Sequence, residues 1–168
     1  MQLLRATEEN GLFNELETQW KGQLAKYDET IDDYISPFRD HCKQAIGANH
    51  NNYFVYILED GGAYEGFIHV NYARIKRLPD YTLRALEIFL APIYDFEDIP
   101  PQKMSDIVAG IVTNLMKLGE NDLLTKNIKI HVGPLDKTYL SAFAQLYIKQ
   151  QGVIVEMQGS WLLITTGL

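Results

Sequence analysis

The sequence predicts a single α/β domain, residues 1–168, in which helices flank a mixed, mostly antiparallel sheet. Three patterns predict this fold class. Two amphipathic helices follow a short first strand, three strands then succeed one another through short turns, and a helix, a strand, a second helix and a hairpin complete the chain. Strands joined by tight turns pair antiparallel, whereas a connection through a helix allows a parallel pair.

The first third of the chain is predicted to hold one strand and two helices. Residues 2–6 have the pattern of a strand, and Thr7, followed by acidic residues, supplies the oxygen and the negative charge that begin a helix. Leucine and aromatic residues recur at helical spacing as far as Trp20. A second helix is predicted over residues 32–46, with Gly47 at its end.

A meander of three strands is predicted next. Residues 53–58 and 67–72 are rich in aromatic and branched side chains, and the turn residues 59–62 between them predict a hairpin. The third strand, residues 82–91, is almost continuously apolar, so we expect it to be buried on both faces. His69 is explained best as a satisfied interior histidine, because no second histidine or cysteine stands at metal-ligand spacing.

The second half of the chain is predicted to alternate helix and strand. Apolar residues recur at the helical period over residues 104–118, after a pair of prolines. Residues 127–132 alternate as a strand, and a helix is expected over residues 136–151. Residues 153–157 and 161–165 predict a closing hairpin.

Composition and charge exclude several classes of function. Hydrophobic residues make up 46% of the chain and charged residues 22%, as is usual for a globular protein. There is no run of about 18 apolar residues that would predict a membrane span. The formal net charge of −7 does not suit a general nucleic-acid binder, which needs a basic face, but it suits a cationic substrate or partner.

The cysteine content and the first residues predict a cytoplasmic location. Cys42 is the one cysteine of the sequence and therefore cannot form an internal disulfide, and residues 1–10 lack the basic start and apolar middle of a signal peptide. His41 precedes Cys42, but sequence neighbours on a helix point in different directions. A Cys–His nucleophile is therefore not expected.

The stretch from Leu83 to Met104 joins the most apolar strand to the best helix through an acidic loop, and we expect it to form one edge of any active site. Glu87 lies in this strand between two apolar residues. Burial makes a carboxylate hold a proton more readily, which suits Glu87 to act as a general base near neutral pH. Two other interpretations stay open: Glu87 pairs with Arg84, or it points to solvent from an end of the sheet.

Four short patterns follow one another along nearly the whole chain. LLRATEEN (3–10) has a strand and a helix start, and LEDGGAYEGFIHV (58–70) has a hairpin with a glycine before an apolar strand. LEIFLAPIYD (86–95) has a strand that ends in a proline and a tyrosine, and AQLYIKQQGVIV (144–155) has a helix followed by a strand. In this order the four patterns resemble the opening strand and helix, the hairpin, the fourth strand and the last helix of the GNAT superfamily of acyl-coenzyme A-dependent N-acyltransferases.

This resemblance implies a cosubstrate and a set of site residues. The cosubstrate is acetyl-CoA, whose thioester and pantetheine arm are expected to contact backbone groups at Phe89, Leu90 and Ala91, where the fourth strand splays from the fifth. Glu87 takes the place of the base that deprotonates the amine, directly or through water. Tyr147 takes the place of the acid that protonates the leaving thiolate. Without the resemblance, Tyr147 is explained better as a core aromatic residue with a surface hydroxyl.

The loop after the fourth strand departs from the family pattern. There the family has an arginine or glutamine and glycines, whose backbone N–H groups hold the pyrophosphate of the coenzyme. In register from the preceding proline and tyrosine, this chain has Asp95, Phe96, Glu97, Asp98 and Pro100. Proline lacks an N–H, and a carboxylate about 5 Å from a phosphate costs roughly 3 kcal/mol at an effective dielectric constant near 20. The loop therefore opposes pyrophosphate binding.

Two functions remain open from the sequence. The first is an N-acyltransferase that acts on a small-molecule or peptide amine, cationic in view of the acidic charge; Glu87 and Tyr147 favour it. The second is a non-catalytic module for binding or homodimer formation that has lost coenzyme A binding, which the acidic loop favours. A divalent cation held by Asp95, Glu97 and Asp98 is disfavoured because the oxygen-ligand pattern of a calcium loop is missing, so no metal site is predicted.

Overall fold

The computed structural model describes residues 1–36, 38–47, 52–75, 78, 80–133 and 153–166. The helix that the sequence predicts over residues 136–151, and with it Tyr147, lies outside the described residues.

Seven strands of the described residues form one sheet. They are β1 (Gln2–Ala6), β2 (Tyr53–Asp60), β3 (Ala63–Arg74), β4 (Tyr81–Leu90), β5 (Asn127–His131), β6 (Ile154–Gln158) and β7 (Trp161–Thr165). Their order across the sheet is β1-β2-β3-β4-β5-β7-β6. The β4/β5 pair is parallel, and the β1/β2, β5/β7 and β6/β7 pairs are antiparallel. The predicted fold class, a mixed and mostly antiparallel sheet flanked by helices, is confirmed.

The helices of the described residues follow the predicted order. They are α1 (Leu12–Leu24), α2 (Ile31–Ile35), α3 (Phe38–Gly47), α4 (Ile93–Phe96) and α5 (Pro101–Lys117), with a 3₁₀ turn at Ala25–Tyr27 and a π-helical turn at Leu118–Asp122. None of these helices combines the length and the apolar character that crossing a membrane requires.

The first helix starts five residues later than its predicted cap. The N–H of Thr7 donates to Oδ1 of Asn10 (3.0 Å), and the N–H of Asn10 donates to Oγ1 of Thr7 (3.2 Å). The same Asn10 oxygen accepts from the N–H of Leu12 at 3.2 Å. Asn10 therefore supplies the capping oxygen that we predicted from Thr7, and Gly11, at φ +65°, makes the turn into α1.

The helix predicted over residues 32–46 consists of two helices. Thr30 begins α2 by accepting a hydrogen bond from the N–H of Asp33 at 3.2 Å. Ser36 then has an extended backbone, with φ −72° and ψ 139°. Ser36 precedes a proline in the sequence, and a residue in that position avoids the helical conformation. The break thus follows from the Ser-Pro pair, which the continuous helical spacing of apolar residues concealed.

Contacts divide the chain into two compact units. The first comprises Met1–Val70 and Glu87–Pro100, and the second comprises Asn71–Leu86 and Pro101–Leu168. The single domain over residues 1–168 stays a prediction. Glu87 and the residues after it on β4 belong to the first unit, so the described part of the candidate site is built within that unit.

An aromatic cluster forms the core of the first unit. Trp20 of α1 and Phe67 of β3 are fully buried, with ring centres 5.7 Å apart. Phe67 stacks on Phe89 of β4 at 5.0 Å, and Phe38 of α3 lies 4.9 Å from the ring of Phe89. The Trp20 indole N–H donates to the backbone oxygen of Tyr64 at 2.8 Å. The helices are therefore held on β3 and β4 by large apolar rings, with the one polar ring atom satisfied.

The second unit is built around β5. Residues 82–85 of β4 pair in parallel with residues 127–130 of β5, and β7 pairs with β5 on its other edge. Ile128 and Ile130 of β5 are fully buried, in agreement with the alternating pattern that predicted this strand. Helix α5 buries Ile107, Ile111 and Leu115 of the predicted apolar stripe, together with Val112, whereas Met104 and Val108 are only partly buried.

Gly66 lies where β3 approaches the end of β4. A Cβ atom at this position would stand 2.7 Å from the backbone oxygen of Phe89. We expect Gly66→Ala to lower the free energy of unfolding by about 1–3 kcal/mol, because the two backbones must separate. Gly22→Ala is the matched control, since Gly22 has open space around it in α1 and alanine stabilises a helix interior by roughly 0.5–1 kcal/mol. Equal losses in urea denaturation of both variants would contradict the close approach.

Candidate active site

Glu87 lies on β4, and its carboxylate faces His69 on the neighbouring strand β3. The distance between Oε2 of Glu87 and Nδ1 of His69 is 3.4 Å. The Glu87 side chain is 26% exposed, whereas the His69 side chain is 10% exposed. Glu87 therefore neither pairs with Arg84 nor points freely to solvent; Arg84 instead lies 4.9 Å from the ring centre of Trp161.

Two further side chains of the first unit adjoin this pair. The Tyr53 ring, at the start of β2, lies 5.8 Å from the His69 ring. Cys42 of α3 is fully buried, and burial together with the negative charge of Glu87 raises the pKa of its thiol to about 12. A thiol with this pKa is protonated at neutral pH and is a poor nucleophile. Cys42 is therefore not a candidate nucleophile at this cluster.

The backbone at the end of β4 is partly engaged in the fold. The N–H of Ala91 donates to the backbone oxygen of Glu65 at 2.9 Å. The carbonyl oxygen of Leu90 lies 3.1 Å from the Tyr34 hydroxyl oxygen. The N–H of Ala91 is therefore already used within the fold. Phe89 holds its ring in the aromatic core.

The acidic segment, residues 95–98, begins within a short helical turn rather than a phosphate-binding loop. Helix α4 starts directly after Pro92 and includes Asp95. The Tyr34 hydroxyl donates to Oδ2 of Asp95 at 2.5 Å, and the Tyr27 hydroxyl donates to Oε1 of Glu97 at 2.6 Å. Two of the carboxylates in this segment are thus bound by tyrosines of the first unit.

Aromatic packing and a third tyrosine hold the same segment. The Phe96 ring stacks on Tyr27, with ring centres 4.7 Å apart and planes 12° apart. The buried hydroxyl of Tyr94 donates to Oε2 of Glu65 at 2.6 Å. The chain after β4 is therefore fixed to the first unit by side-chain contacts on both sides of Asp95.

The tyrosine pKa values reflect these hydrogen bonds. The pKa of Tyr34 is raised strongly by burial and by the hydrogen bond to Asp95, and the pKa of Tyr94 is raised by burial and by its bond to Glu65. The pKa of Tyr27 is raised chiefly by its hydrogen bond to Glu97. These hydroxyls therefore keep their protons at neutral pH and act as donors to carboxylates.

Removing the Tyr34 hydroxyl tests the attachment of the acidic segment. We expect Tyr34→Phe to lower the free energy of unfolding by about 1–2 kcal/mol, because the carboxylate of Asp95 loses its donor. Tyr81→Phe is the control, since Tyr81 is 45% exposed. Thermal denaturation of both variants measures the difference, and equal midpoints would contradict the attachment.

The described residues contain no group of three or more histidine, cysteine, aspartate or glutamate side chains placed to hold a metal ion. In the acidic segment, Asp95 and Glu97 use an oxygen each to accept from tyrosines. The prediction of no metal site stays a prediction.

The sequence predicted only part of the candidate site. It selected Glu87 but not its partner, because the pairing of β3 with β4 that brings His69 beside it is a long-range property. It placed His69 in the interior, but His69 is not fully satisfied, since its buried Nε2 has no hydrogen-bond partner among the described residues. The tyrosines that bind the acidic segment were missed as well.

Comparison with known proteins identifies structural relatives only. No family model matches the sequence, and no curated protein sequence matches it. The chain is similar to the solved structure of the aminoglycoside acetyltransferase AAC(6')-Ib in complex with coenzyme A and kanamycin, with a TM-score of 0.55 at 14% identity over 98% of this chain and 94% of that chain.

Other solved structures give the same result. An aminoglycoside acetyltransferase from an uncultured soil metagenomic sample aligns with a TM-score of 0.53 at 11% identity, over 94% of this chain and 97% of that chain. A second one, in complex with sisomicin and also from an uncultured soil metagenomic sample, aligns with a TM-score of 0.50 at 10% identity, over 94% and 93%. At these identities the likeness concerns the fold.

Proposed function

We propose that this chain, which has the GNAT acetyltransferase fold, is an acyl-CoA-dependent N-acyltransferase. Its substrate is a small-molecule or peptide amine, cationic in view of the net charge of −7. One observation carries the proposal: Glu87 presents a half-buried carboxylate on β4, two residues before the backbone of residues 89–91 at which the resemblance locates the acyl thioester. The solved relatives that share the fold are acetyltransferases, one of them with coenzyme A bound.

The proposed chemistry requires a base, a binding edge and an acid. Glu87 accepts a proton from the amine as the amine nitrogen attacks the thioester carbon, so that the C–N bond forms and the C–S bond breaks. The Leu90 carbonyl accepts from an amide of the pantetheine arm. Tyr147 remains the predicted acid that gives its proton to the departing thiolate, and it lies outside the described residues.

The residues after β4 do not suit pyrophosphate binding as the corresponding loop of the GNAT family does. Asp95 and Glu97 carry negative charge where the family has positive or neutral groups, and the tyrosine hydroxyls that could donate to a phosphate already donate to these carboxylates. We therefore propose that the pantetheine arm, rather than the phosphates, supplies most of the binding energy for the acyl donor.

Comparing two acyl donors tests this division of binding energy. We expect kcat/KM with S-acetylpantetheine to lie within about tenfold of that with acetyl-CoA, which corresponds to less than roughly 1.4 kcal/mol from the nucleotide part. Thiol release, measured with a panel of polyamines, aminoglycosides and lysine peptides, provides the rates. A loss of several orders of magnitude with S-acetylpantetheine would contradict the proposal on the phosphates.

A second function is favoured by the acidic segment itself. The hydrogen bonds of its carboxylates to tyrosines, its aromatic packing and Pro100 all oppose a phosphate site. A non-catalytic module that binds a basic partner or forms a homodimer would need no phosphate site. The two functions differ in one observable. The module releases no thiol with any amine of the panel, whereas the acyltransferase releases thiol in an amine-dependent manner.

A further inference from the structure

We infer that His69 is a positioning residue for Glu87, to which it donates its Nδ1 proton while its Nε2 stays unprotonated. This inference rests on the proposed function for its catalytic meaning, but the location of the ring proton is independent of any activity. In this arrangement the His69 ring holds Oε2 of Glu87, and Oε1 of Glu87 is left to take the proton of the amine.

Exposure decides which member of the pair meets the substrate. The Glu87 side chain is 26% exposed, so an amine can reach it, whereas the His69 side chain is 10% exposed and its Nε2 atom is buried. His69 therefore contacts Glu87 from the more buried side of the pair and orients its carboxylate. The separation of 3.4 Å is long for a hydrogen bond, as is common in catalytic pairs before substrate binds and tightens them.

The environment of the second ring nitrogen fixes the tautomer. An ionised carboxylate only accepts hydrogen bonds, so the nitrogen that faces Glu87 must carry a proton. The buried Nε2 has no partner among the described residues, and a proton there would be a buried donor without an acceptor. A neutral ring with the proton on Nδ1 satisfies the carboxylate and avoids that cost.

The side chains of α3 near the pair do not donate a strong hydrogen bond to Glu87. Lys43 binds Oε2 of Glu17 at 3.1 Å, and Arg39 binds both carboxylate oxygens of Glu17. Cys42 lies near Glu87, but its thiol is a weak donor. The described hydrogen-bond contact of the Glu87 carboxylate is therefore the one with His69.

Nuclear magnetic resonance of the ring nitrogens in ¹⁵N-histidine-labelled protein tests the tautomer without any ligand. The sequence has four histidines, and His69→Asn identifies the His69 signals by their loss. We expect a protonated Nδ1 and an unprotonated Nε2 at neutral pH, and we expect Glu87→Leu to abolish this preference. A proton on Nε2 in the unmodified protein, or no change in Glu87→Leu, overturns the inference.

Kinetics with three variants test the positioning role. We expect His69→Leu to lower kcat about 10–100-fold with little change in KM for the acyl donor, because Glu87 loses its fixed orientation. His69→Asn, which keeps a donor near the Nδ1 position, should recover most of kcat, and His131→Leu serves as the control at an exposed histidine. Unchanged kcat in His69→Leu, or equal losses in the leucine and asparagine variants, overturns the positioning role.

The outcomes separate this inference from the proposed function. If the unmodified protein releases no thiol with any amine, the proposed function fails, and the His69–Glu87 pair is then judged on the ring proton alone. If thiol is released but the proton lies on Nε2, the inference fails and the acyltransferase stands.

Discussion

Glu87→Gln is expected to lower kcat/KM for amine acylation by about 10²–10⁴-fold, because a glutamine amide cannot accept the proton of the attacking amine. Glutamine has nearly the same shape as glutamate, and its side-chain oxygen still accepts from Nδ1 of His69. The fold should therefore be preserved, and thermal denaturation of the variant should match that of the unmodified protein. Steady-state thiol release measures the rate loss.

The control for this experiment is Glu120→Gln, which makes the same change of charge at an exposed position on the π-helical turn. It should leave kcat/KM within about twofold, since a surface substitution away from the site has little effect. A Glu87→Gln variant with the full rate would remove Glu87 as the base. A large loss in both variants would assign the effect to net charge rather than to proton transfer.

Glu17→Gln is expected to lower the free energy of unfolding by about 2–3 kcal/mol at pH 7. The Glu17 side chain of α1 is 6% exposed, and its carboxylate bridges Arg39 and Lys43 of α3; Arg39 also binds Asp32. Removing one charge of a buried pair leaves the others desolvated, which costs about 3–5 kcal/mol when all partners are buried. Arg39 and Lys43 are 22% and 41% exposed, so water compensates part of this loss.

The pH dependence of this effect has a definite sign. Burial raises the pKa of Glu17, but the hydrogen bonds from Arg39 and Lys43 outweigh it and hold the pKa below its usual value of 4.5. A carboxylate with a lowered pKa contributes stability above its unfolded-state pKa and loses it as pH falls through the folded-state value. The difference between the two proteins should therefore be complete at pH 7 and shrink below about pH 4.5.

Urea denaturation at pH 7 and at pH 3.5 measures this difference, with Glu9→Gln as the exposed control. A stability loss that is the same at both pH values would show that the Glu17 charge is not the cause. A loss of equal size in Glu9→Gln would assign the effect to net charge.

Sequence patterns predicted those parts of the fold that depend on interactions between residues close together in the sequence. The first strand has the predicted bounds, Gln2–Ala6, and the hairpin between β2 and β3 turns at Gly61 and Gly62, whose positive φ values of 59° and 89° suit glycine. The start of α1 was misplaced because Thr7 and Asn10 bond to each other. The break after Ser36 was missed because helical spacing continues across it.

Long-range contacts explain why the site was predicted only in part. Glu87 was found because a carboxylate within an apolar strand is visible in the sequence. Its partner His69 is 18 positions away, and the tyrosines that bind Asp95 and Glu97 are 61 and 70 positions away. No local pattern specifies such pairs, since they depend on strand register and on where α1 and α2 pack.

Calorimetric titration with acetyl-CoA tests the central claim most directly, because acyl transfer requires that the donor bind despite the carboxylates of the acidic segment. We expect saturable heat with a one-to-one stoichiometry and a thermal shift that S-acetylpantetheine reproduces in large part. No heat and no thermal shift at millimolar acetyl-CoA would contradict it, and only the fold and the non-catalytic alternative would then stand.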